Sequence, residues 1–252
     1  MKYPLAETMS ISNVDKATIE PRWFELFAAI EAKFEASNIA NEKWYLTTLS
    51  AITTTPKPHL CGQLYQYLIS QHAYSTTSTR RKLIQRMREA LFKDISVLGL
   101  PKPAEALLGI NQVMSEEDAE GSFTREGWQC DDANHARGMD WLKSIYAHNT
   151  STLFGLFKQH QDFCFWLADI TYGLLLSDRQ VLDDVDTELV ILPGVMGQDV
   201  PRMTYWHIRG TRRLGISKED VQMVMDCVNM VVEACGVTLK QVPSVDAVDA
   251  EL

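Results

Sequence analysis

Few glycines and prolines interrupt this sequence: there are 13 and 9 of them in 252 residues, both slightly below average usage. Because these residues break helices and form tight turns, their scarcity favours long helices over a many-stranded sandwich or barrel. Basic residues are also few, with 24 Lys and Arg against 33 Asp and Glu and a net charge of −9. Nucleic acids and anionic membranes bind basic surfaces, so this balance argues against both as the main partner.

The five cysteines form no recognisable pair or cluster. They are widely spaced, with no CxxC and no Cys/His group at zinc-ligand spacing. This usage is typical of reduced thiols inside a cell, and it predicts no metal site. The most apolar stretch, 163–176, contains Asp169 and is too short to span a bilayer. We find no signal peptide or common address motif, and therefore expect a cytoplasmic protein that neither spans nor binds a membrane.

What the sequence does contain is helical periodicity. Apolar residues recur every three or four positions, which is typical of amphipathic helices. The predicted helices cover residues 19–37, 42–53, 60–71, 76–98, a short segment from 101, 137–146, 153–157, 162–176, 185–196, 200–214 and 221–235. Ser217 is placed to cap the last helix and Gly236 to end it. Breaks are expected at Pro193-Gly194 and at 197–199. The sequence thus predicts an all-α fold.

The pattern also suggests how the chain is organised. Residues 1–18 are polar and predicted to be flexible, and 237–252 form a C-terminal tail. Between them we expect a first helical half over 19–113, an acidic connection over 114–136 and a second half over 137–236. Residues 44–68 can be laid over 188–212 without gaps, but few identities result. The prediction is two similar helical halves in one compact domain.

The segment 188–213 carries the densest set of functional side chains. Glu188 and His207 fall on consecutive predicted helices, where a carboxylate could orient an imidazole that transfers a proton near neutral pH. Two plainer interpretations stay open: His207 as a core or interface histidine satisfied by Glu188, and Glu188 as a charge that stabilises a helix N-terminus. In the ungapped overlay Gln63 matches His207, so at most one imidazole site per chain is expected.

This segment resembles the motif region of the carboxymuconolactone decarboxylase and AhpD-like superfamily. The thiol peroxidase branch has Glu, eleven residues, CxxC, three residues and His; here Glu188 and His207 match, while Val200 and Met203 occupy the cysteine positions. His207-Ile208-Arg209-Gly210 and the following 215–221 are similar to the decarboxylase branch. The resemblance covers roughly 20–236 and is specific at 188–221. It implies an AhpD-like helical fold and a homo-oligomer, dimer or trimer.

The resemblance also implies a chemistry. Without the two cysteines, thiol peroxidase activity is not expected. The decarboxylase branch needs no metal or organic cofactor, so we expect a cofactor-independent lyase or isomerase acting on a small carboxylated or enolic organic molecule. His207 would be the acid/base and Glu188 its orienting carboxylate. Tyr172, Trp206 and Arg209 are the candidate substrate-binding residues, although Arg209 points about 200° away from His207 on a helix. The alternative is a non-catalytic assembly or ligand-binding protein.

Overall fold

The computed structural model describes residues 19–249, which form helices and connections without a strand. The all-α prediction is therefore confirmed. The predicted flexible segment 1–18 lies outside the described residues. The helices are α1 Pro21–Glu35, α2 Trp44–Thr54, α3 Cys61–Ile69, α4 Thr77–Leu98, α5 Pro101–Val113, α6 Asp132–Tyr146, α7 Thr150–Leu156, α8 Gln161–Phe165, a π-helical segment Trp166–Leu176 that continues α8, α9 Asp184–Met196, α10 Pro201–Arg213, α11 Lys218–Ala234 and α12 Val245–Asp249.

Helix α2 forms the centre of the fold, and every one of its residues is buried. It packs against α9 and α11, while α4 packs against α9 as well as α2. Helices α2 and α9 thus form a central pair. Helix α2 contacts α11, which comes after α9, and α9 contacts α4, which comes after α2. An internal duplication would produce this reciprocal arrangement, and the two-half organisation stays a prediction.

The expected break at Pro193 is wrong, because α9 continues through that residue to Met196. Proline has no N–H, so it leaves the carbonyl of Leu189 without its intrahelical donor. The hydroxyl of Thr47 on α2 donates to that carbonyl at 3.1 Å. A tertiary contact therefore replaces the missing helical bond, and the chain turns only after Met196.

Helix α6 begins five residues before the predicted position 137, inside the predicted connection. The carboxylate of Asp131 accepts the N–H of Asn134 at 2.9 Å and caps the helix. At the other end of the chain the boundary signals of α11 are confirmed. Ser217 accepts the N–H of Asp220, and Gly236 has a φ of +85°, a left-handed conformation that suits glycine.

The acidic connection is held against the basic face of α4 by ion pairs. Arg80 pairs with Asp118 at 2.8 Å, and Arg88 with Glu120 at 2.6 Å. Complementary charges on the two segments thus fix a stretch whose composition by itself suggested only a linker. The arginines of α4 therefore bind this connection and do not form a purely solvated face.

The π-helical segment crosses α6 at very close range. A Cβ placed on Gly138 would lie 2.1 Å from the carbonyl oxygen of Ala168, so only glycine fits there. Asn134 donates to the carbonyl oxygen of Asp169 at 2.8 Å. These contacts hold the wider helix in place and position Tyr172, which lies further along it.

The C-terminal carbonyls of the π segment are capped by two buried cations. Arg125 donates to the carbonyl oxygens of Leu174 and Leu175, each at 2.9 Å. Lys93, fully buried on α4, donates to Leu176 at 2.7 Å. Helix ends expose unpaired carbonyls, and cations are the groups that stabilise them best.

No helix within residues 19–249 combines the length and the apolarity needed to cross a membrane.

Candidate functional site

Helices α9 and α10 bring Glu188 and His207 together. Nδ1 of His207 lies 3.0 Å from Oε2 of Glu188, and the two side chains are 5% and 0% exposed. The predicted pairing is therefore present in the structure. Glu188 is the fifth residue of α9, and the N-terminus of that helix is capped by Asp183 and Asp186 instead. The charge of Glu188 is thus directed at the imidazole rather than at the helix terminus.

The pairing leaves one atom of each side chain without a partner. With Glu188 ionised, Nδ1 carries the proton that the carboxylate accepts, so Nε2 holds the lone pair. Among the described residues, Nε2 makes no hydrogen bond, and the buried Oε1 of Glu188 has no donor. An oriented imidazole with an unbonded Nε2 is able to take up or deliver a proton.

Tyr172 belongs to a chain of aromatic contacts beside this pair. Its hydroxyl donates to the hydroxyl of Tyr146 at 3.2 Å. The ring of Tyr146 makes edge contacts with both Tyr172 and Trp206, each at 6.1 Å between centroids. Two of the predicted substrate-binding residues are thus linked through Tyr146.

Both tyrosine hydroxyls are held in the neutral form. Burial raises the pKa of Tyr146 to about 12, with the charge of Glu188 adding to the rise while Arg209 opposes it. Burial also raises the pKa of Tyr172 well above its ordinary value, with Tyr146 and Glu188 contributing. The charges of Glu188 and Arg209 therefore both act on the hydroxyl of Tyr146, which links these two candidate residues electrostatically.

Arg209 is buried at 7% exposure and lies 5.9 Å from the ring centroid of Tyr205 on its own helix. The following residue, Gly210, lets α10 approach α6 closely, since a Cβ there would lie 2.6 Å from Ile145. The guanidinium also acts electrostatically on the hydroxyl of Tyr146, at the end of α6. A role as the carboxylate clamp of a substrate stays a prediction.

Two clefts of the described chain lie elsewhere. One, of about 370 Å³, is lined by residues 38–40, by Lys43, Asp183 and Val185, and by the turn between α10 and α11. Its polar groups are already paired: Lys43 with Asp183 at 2.9 Å, and Asp220 with Asn38 at 3.2 Å. The other, of about 430 Å³, lies between the start of α11 and α12. Neither cleft includes the imidazole or its carboxylate.

Other chemistry-bearing side chains form weaker candidates. His135 and Asp169 pair at 2.9 Å, but the histidine is 54% exposed. Burial raises the pKa of both Cys61 and Cys227 to about 12, so neither is a thiolate at neutral pH. Within residues 19–249 no group of three or more His, Cys, Asp or Glu side chains could hold a metal ion.

A second buried carboxyl, Asp94 on α4, was not among the predicted residues. Its Oδ1 lies 2.9 Å from the hydroxyl of Ser50, and its Oδ2 has no partner among the described residues. Burial raises its pKa well above the ordinary value. The sequence did carry a signal, because Asp94 follows Met87 by seven residues and Ala90 by four and so falls on the apolar face. Tyr146 had a weaker signal, as one aromatic residue at a helix end.

Comparison with known proteins gives two relatives, both named Peroxisomal protein 2. The protein from Saccharomyces cerevisiae is 24% identical over 198 residues, which cover 69% of this chain and 70% of the relative. The protein from Schizosaccharomyces pombe is 24% identical over 156 residues, covering 62% and 72% respectively. No family model and no solved structure matches the chain.

Proposed function

We propose that this protein is a carboxymuconolactone decarboxylase-like enzyme, a cofactor-independent lyase or isomerase acting on a small carboxylated or enolic organic molecule. The observation that carries the proposal is the contact of 3.0 Å between Glu188 and His207, which leaves Nε2 of the imidazole unbonded. A carboxylate on one ring nitrogen orients the imidazole and stabilises its protonated form while the other nitrogen reacts.

In this proposal Nε2 of His207 removes a proton from the substrate or returns one to it. Glu188 fixes the tautomer and balances the charge that develops on the ring. The neutral hydroxyl of Tyr146 is able to donate to a developing enolate oxygen, because burial keeps its proton in place. The hydroxyl of Tyr172 supports it by donating to Tyr146. Arg209 would supply the cation for a substrate carboxylate.

The test is turnover of a panel of small carboxylated lactones and enolic acids, followed by ultraviolet absorbance and product mass. For a compound that is consumed, His207→Gln should lower kcat about 10²- to 10⁴-fold, the usual contribution of a general acid or base. Glu188→Gln should lower kcat by a smaller factor, because it disturbs orientation without removing the imidazole. Unchanged turnover by a folded His207→Gln protein would exclude this assignment.

His135→Gln provides the matched control. His135 also places Nδ1 within 3 Å of a carboxylate, that of Asp169, but on the surface. If a carboxylate-bound histidine in any position supported turnover, both variants would lose activity. The proposal requires that only the buried pair matters, so His135→Gln should retain the wild-type kcat.

A second candidate is a non-catalytic assembly or ligand-binding protein. It is favoured by the near-complete burial of Glu188 and His207 and by the position of both clefts away from them. In that case the pair is a structural core contact. Addition of the same carboxylated and enolic compounds would then leave the imidazole ring signals of His207 in a nuclear magnetic resonance spectrum unchanged.

The site of action has two candidate compartments. The unpaired cysteines favour a reducing compartment such as the cytoplasm, whereas the shared name of the two relatives favours the peroxisome. We propose the cytoplasm as the location. Imaging of a fluorescent fusion together with a peroxisomal marker tests this proposal. Coincidence of the two signals would assign the protein to the peroxisome instead.

A further inference from the structure

An apolar surface patch lies between residues 156 and 166. Its members are large apolar side chains that are each more than half exposed, namely Leu156 at 54%, Phe163 at 63%, Phe165 at 52% and Trp166 at 59%. Single exposed apolar residues are normal on a protein surface, but four large ones within eleven residues form a local concentration of apolar surface. Such patches mark sites of association.

The patch is a fixed platform, because its two helices are joined by an aromatic stack. Phe157 at the end of α7 stacks on Phe163 of α8, with 5.8 Å between ring centroids and 8° between the planes. Phe163 and Trp166 are three residues apart and share one helical face. Trp166 begins the π segment, whose contacts with α6 hold it in place. Little conformational entropy would be lost when such a surface is covered.

Two opposite charges, Lys158 and Asp162, lie between Phe157 and Phe163 in the chain. Both are exposed, and neither takes part in an ion pair within residues 19–249. They lie on either side of Gln161, where α8 begins. The segment 150–166 therefore carries one lysine and one aspartate, and His160 is its only other titratable side chain apart from Cys164.

We propose that this patch is the interface of a symmetric dimer, with a second copy of the chain as its occupant. In a twofold interface the same surface is used by both subunits, so it has to be complementary to itself. A patch with an apolar centre, one cation and one anion meets that condition. Lys158 of each protomer faces Asp162 of its partner, and the aromatic side chains of both protomers form the buried centre.

The charge pattern separates this occupant from an anionic membrane. A membrane-binding surface places lysine and arginine around its apolar residues. Here Asp162 cancels Lys158, and the chain as a whole carries a net charge of −9. The dimer does not depend on the proposed enzymatic function, since none of the patch residues belongs to the candidate site.

The first experiment measures the mass of the full chain over a range of concentrations by sedimentation or light scattering. The wild type should be a dimer that dissociates on dilution. Trp166→Ala, which removes the largest apolar side chain of the patch, should raise the dissociation constant at least about 30-fold. Leu108→Ala removes an apolar side chain of similar exposure, 55%, from α5 and should leave the dimer unchanged. A wild type that stays monomeric, or a Trp166→Ala protein that dimerises normally, would overturn the proposal.

The second experiment exchanges the charges. Lys158→Asp places two like charges opposite each other at both symmetric contacts, as does Asp162→Lys, and each should weaken the dimer about tenfold or more. An equal mixture of the two variants should dimerise again, because every contact in the mixed dimer joins opposite charges. A mixture no stronger than its components would exclude the twofold arrangement. Sedimentation of the wild type with phosphatidylserine vesicles as a monomer would assign the patch to a membrane instead.

Discussion

The hydroxyl of Ser50 lies 2.9 Å from Oδ1 of Asp94 and 2.7 Å from the carbonyl oxygen of Val190, all three buried where α2, α4 and α9 meet. A serine hydroxyl has one proton, and a carbonyl oxygen only accepts. Ser50 therefore donates to Val190, and the proton between Ser50 and Asp94 belongs to the carboxyl group. Asp94 is a neutral carboxylic acid in the fold.

This protonation makes stability depend on pH. Because burial raises the pKa of Asp94 in the folded state, the folded chain holds a proton that the unfolded chain loses above about pH 4. The contribution of Asp94 is thus fully present below pH 4 and is lost as pH rises towards its folded pKa. Asp94→Asn keeps a donor for Ser50 without the charge. Its stability relative to wild type should therefore rise with pH, by up to about 1.4 kcal/mol per unit.

Urea unfolding of the two proteins at pH 5, 6, 7 and 8 gives that difference. Asp226→Asn, on the exposed face of α11, is the matched control and should show no comparable slope. A constant difference between wild type and Asp94→Asn over the whole range would show that Asp94 is ionised in the fold.

The contact between Thr47 and the carbonyl of Leu189 predicts a coupling with Pro193. Thr47→Val should lower the free energy of unfolding by about 1–2 kcal/mol, because it leaves a buried carbonyl without a donor. In a Pro193→Ala background the restored N–H serves that carbonyl, so the same substitution should cost less than half as much. Thr48→Val is the control, since the hydroxyl of Thr48 donates only within its own helix, to Trp44. Equal costs of Thr47→Val in both backgrounds would contradict this account of α9.

Arg125 joins α4 to the end of the π segment. Its removal should lower the free energy of unfolding more than the removal of most other side chains. It pairs with Glu89 through two bonds of 2.8 and 2.6 Å and caps two carbonyls. Arg125→Met leaves the buried Glu89 carboxylate with only the longer contact to Lys93, at 3.8 Å, so we expect a loss of about 3 kcal/mol. Amide exchange at 174–178 should speed up in the same variant.

Arg179→Met provides the comparison on the surface. Arg179 is 43% exposed and pairs with Asp184, so its loss should cost less than about 1 kcal/mol. If the two substitutions lowered the free energy of unfolding by similar amounts, burial of the ion pair between Arg125 and Glu89 would add nothing to stability.

The Glu188–His207 pair predicts non-additive losses of stability. His207→Leu should cost about 3–5 kcal/mol, since it strands a carboxylate that is 0% exposed. Glu188→Leu together with His207→Leu should cost less than His207→Leu alone, because no charge is then left unpaired. Chemical denaturation of the three variants gives the coupling energy. Strictly additive costs would show that the two side chains do not act as a pair in solution.

Much of the fold follows from local sequence. The period of the apolar residues predicted nearly every helix within residues 19–249, because an amphipathic face has to be buried whatever it packs against. The ends of α11 were equally readable, since Ser217 and Gly236 act on backbone groups within a few residues. The pairing of Glu188 with His207 was predictable from their positions on consecutive helices.

The errors lie where a distant segment replaces a local interaction. Pro193 normally ends a helix, yet α9 continues because Thr47, 146 residues earlier, supplies the missing donor. The acidic connection contains no hydrophobic pattern, and it is ordered by arginines on α4. Neither effect has a signature within the window of residues over which propensity and periodicity act.

By itself, the sequence determined the helical class, most helix boundaries and the identity of the carboxylate and imidazole that meet. The tertiary structure alone decided the environment of these groups: the depth at which Glu188 lies, the hydroxyl pair of Tyr146 and Tyr172 beside it, and the neutral state of Asp94. The physical reason is that desolvation and the field of neighbouring charges depend on distances between helices, which no local pattern encodes.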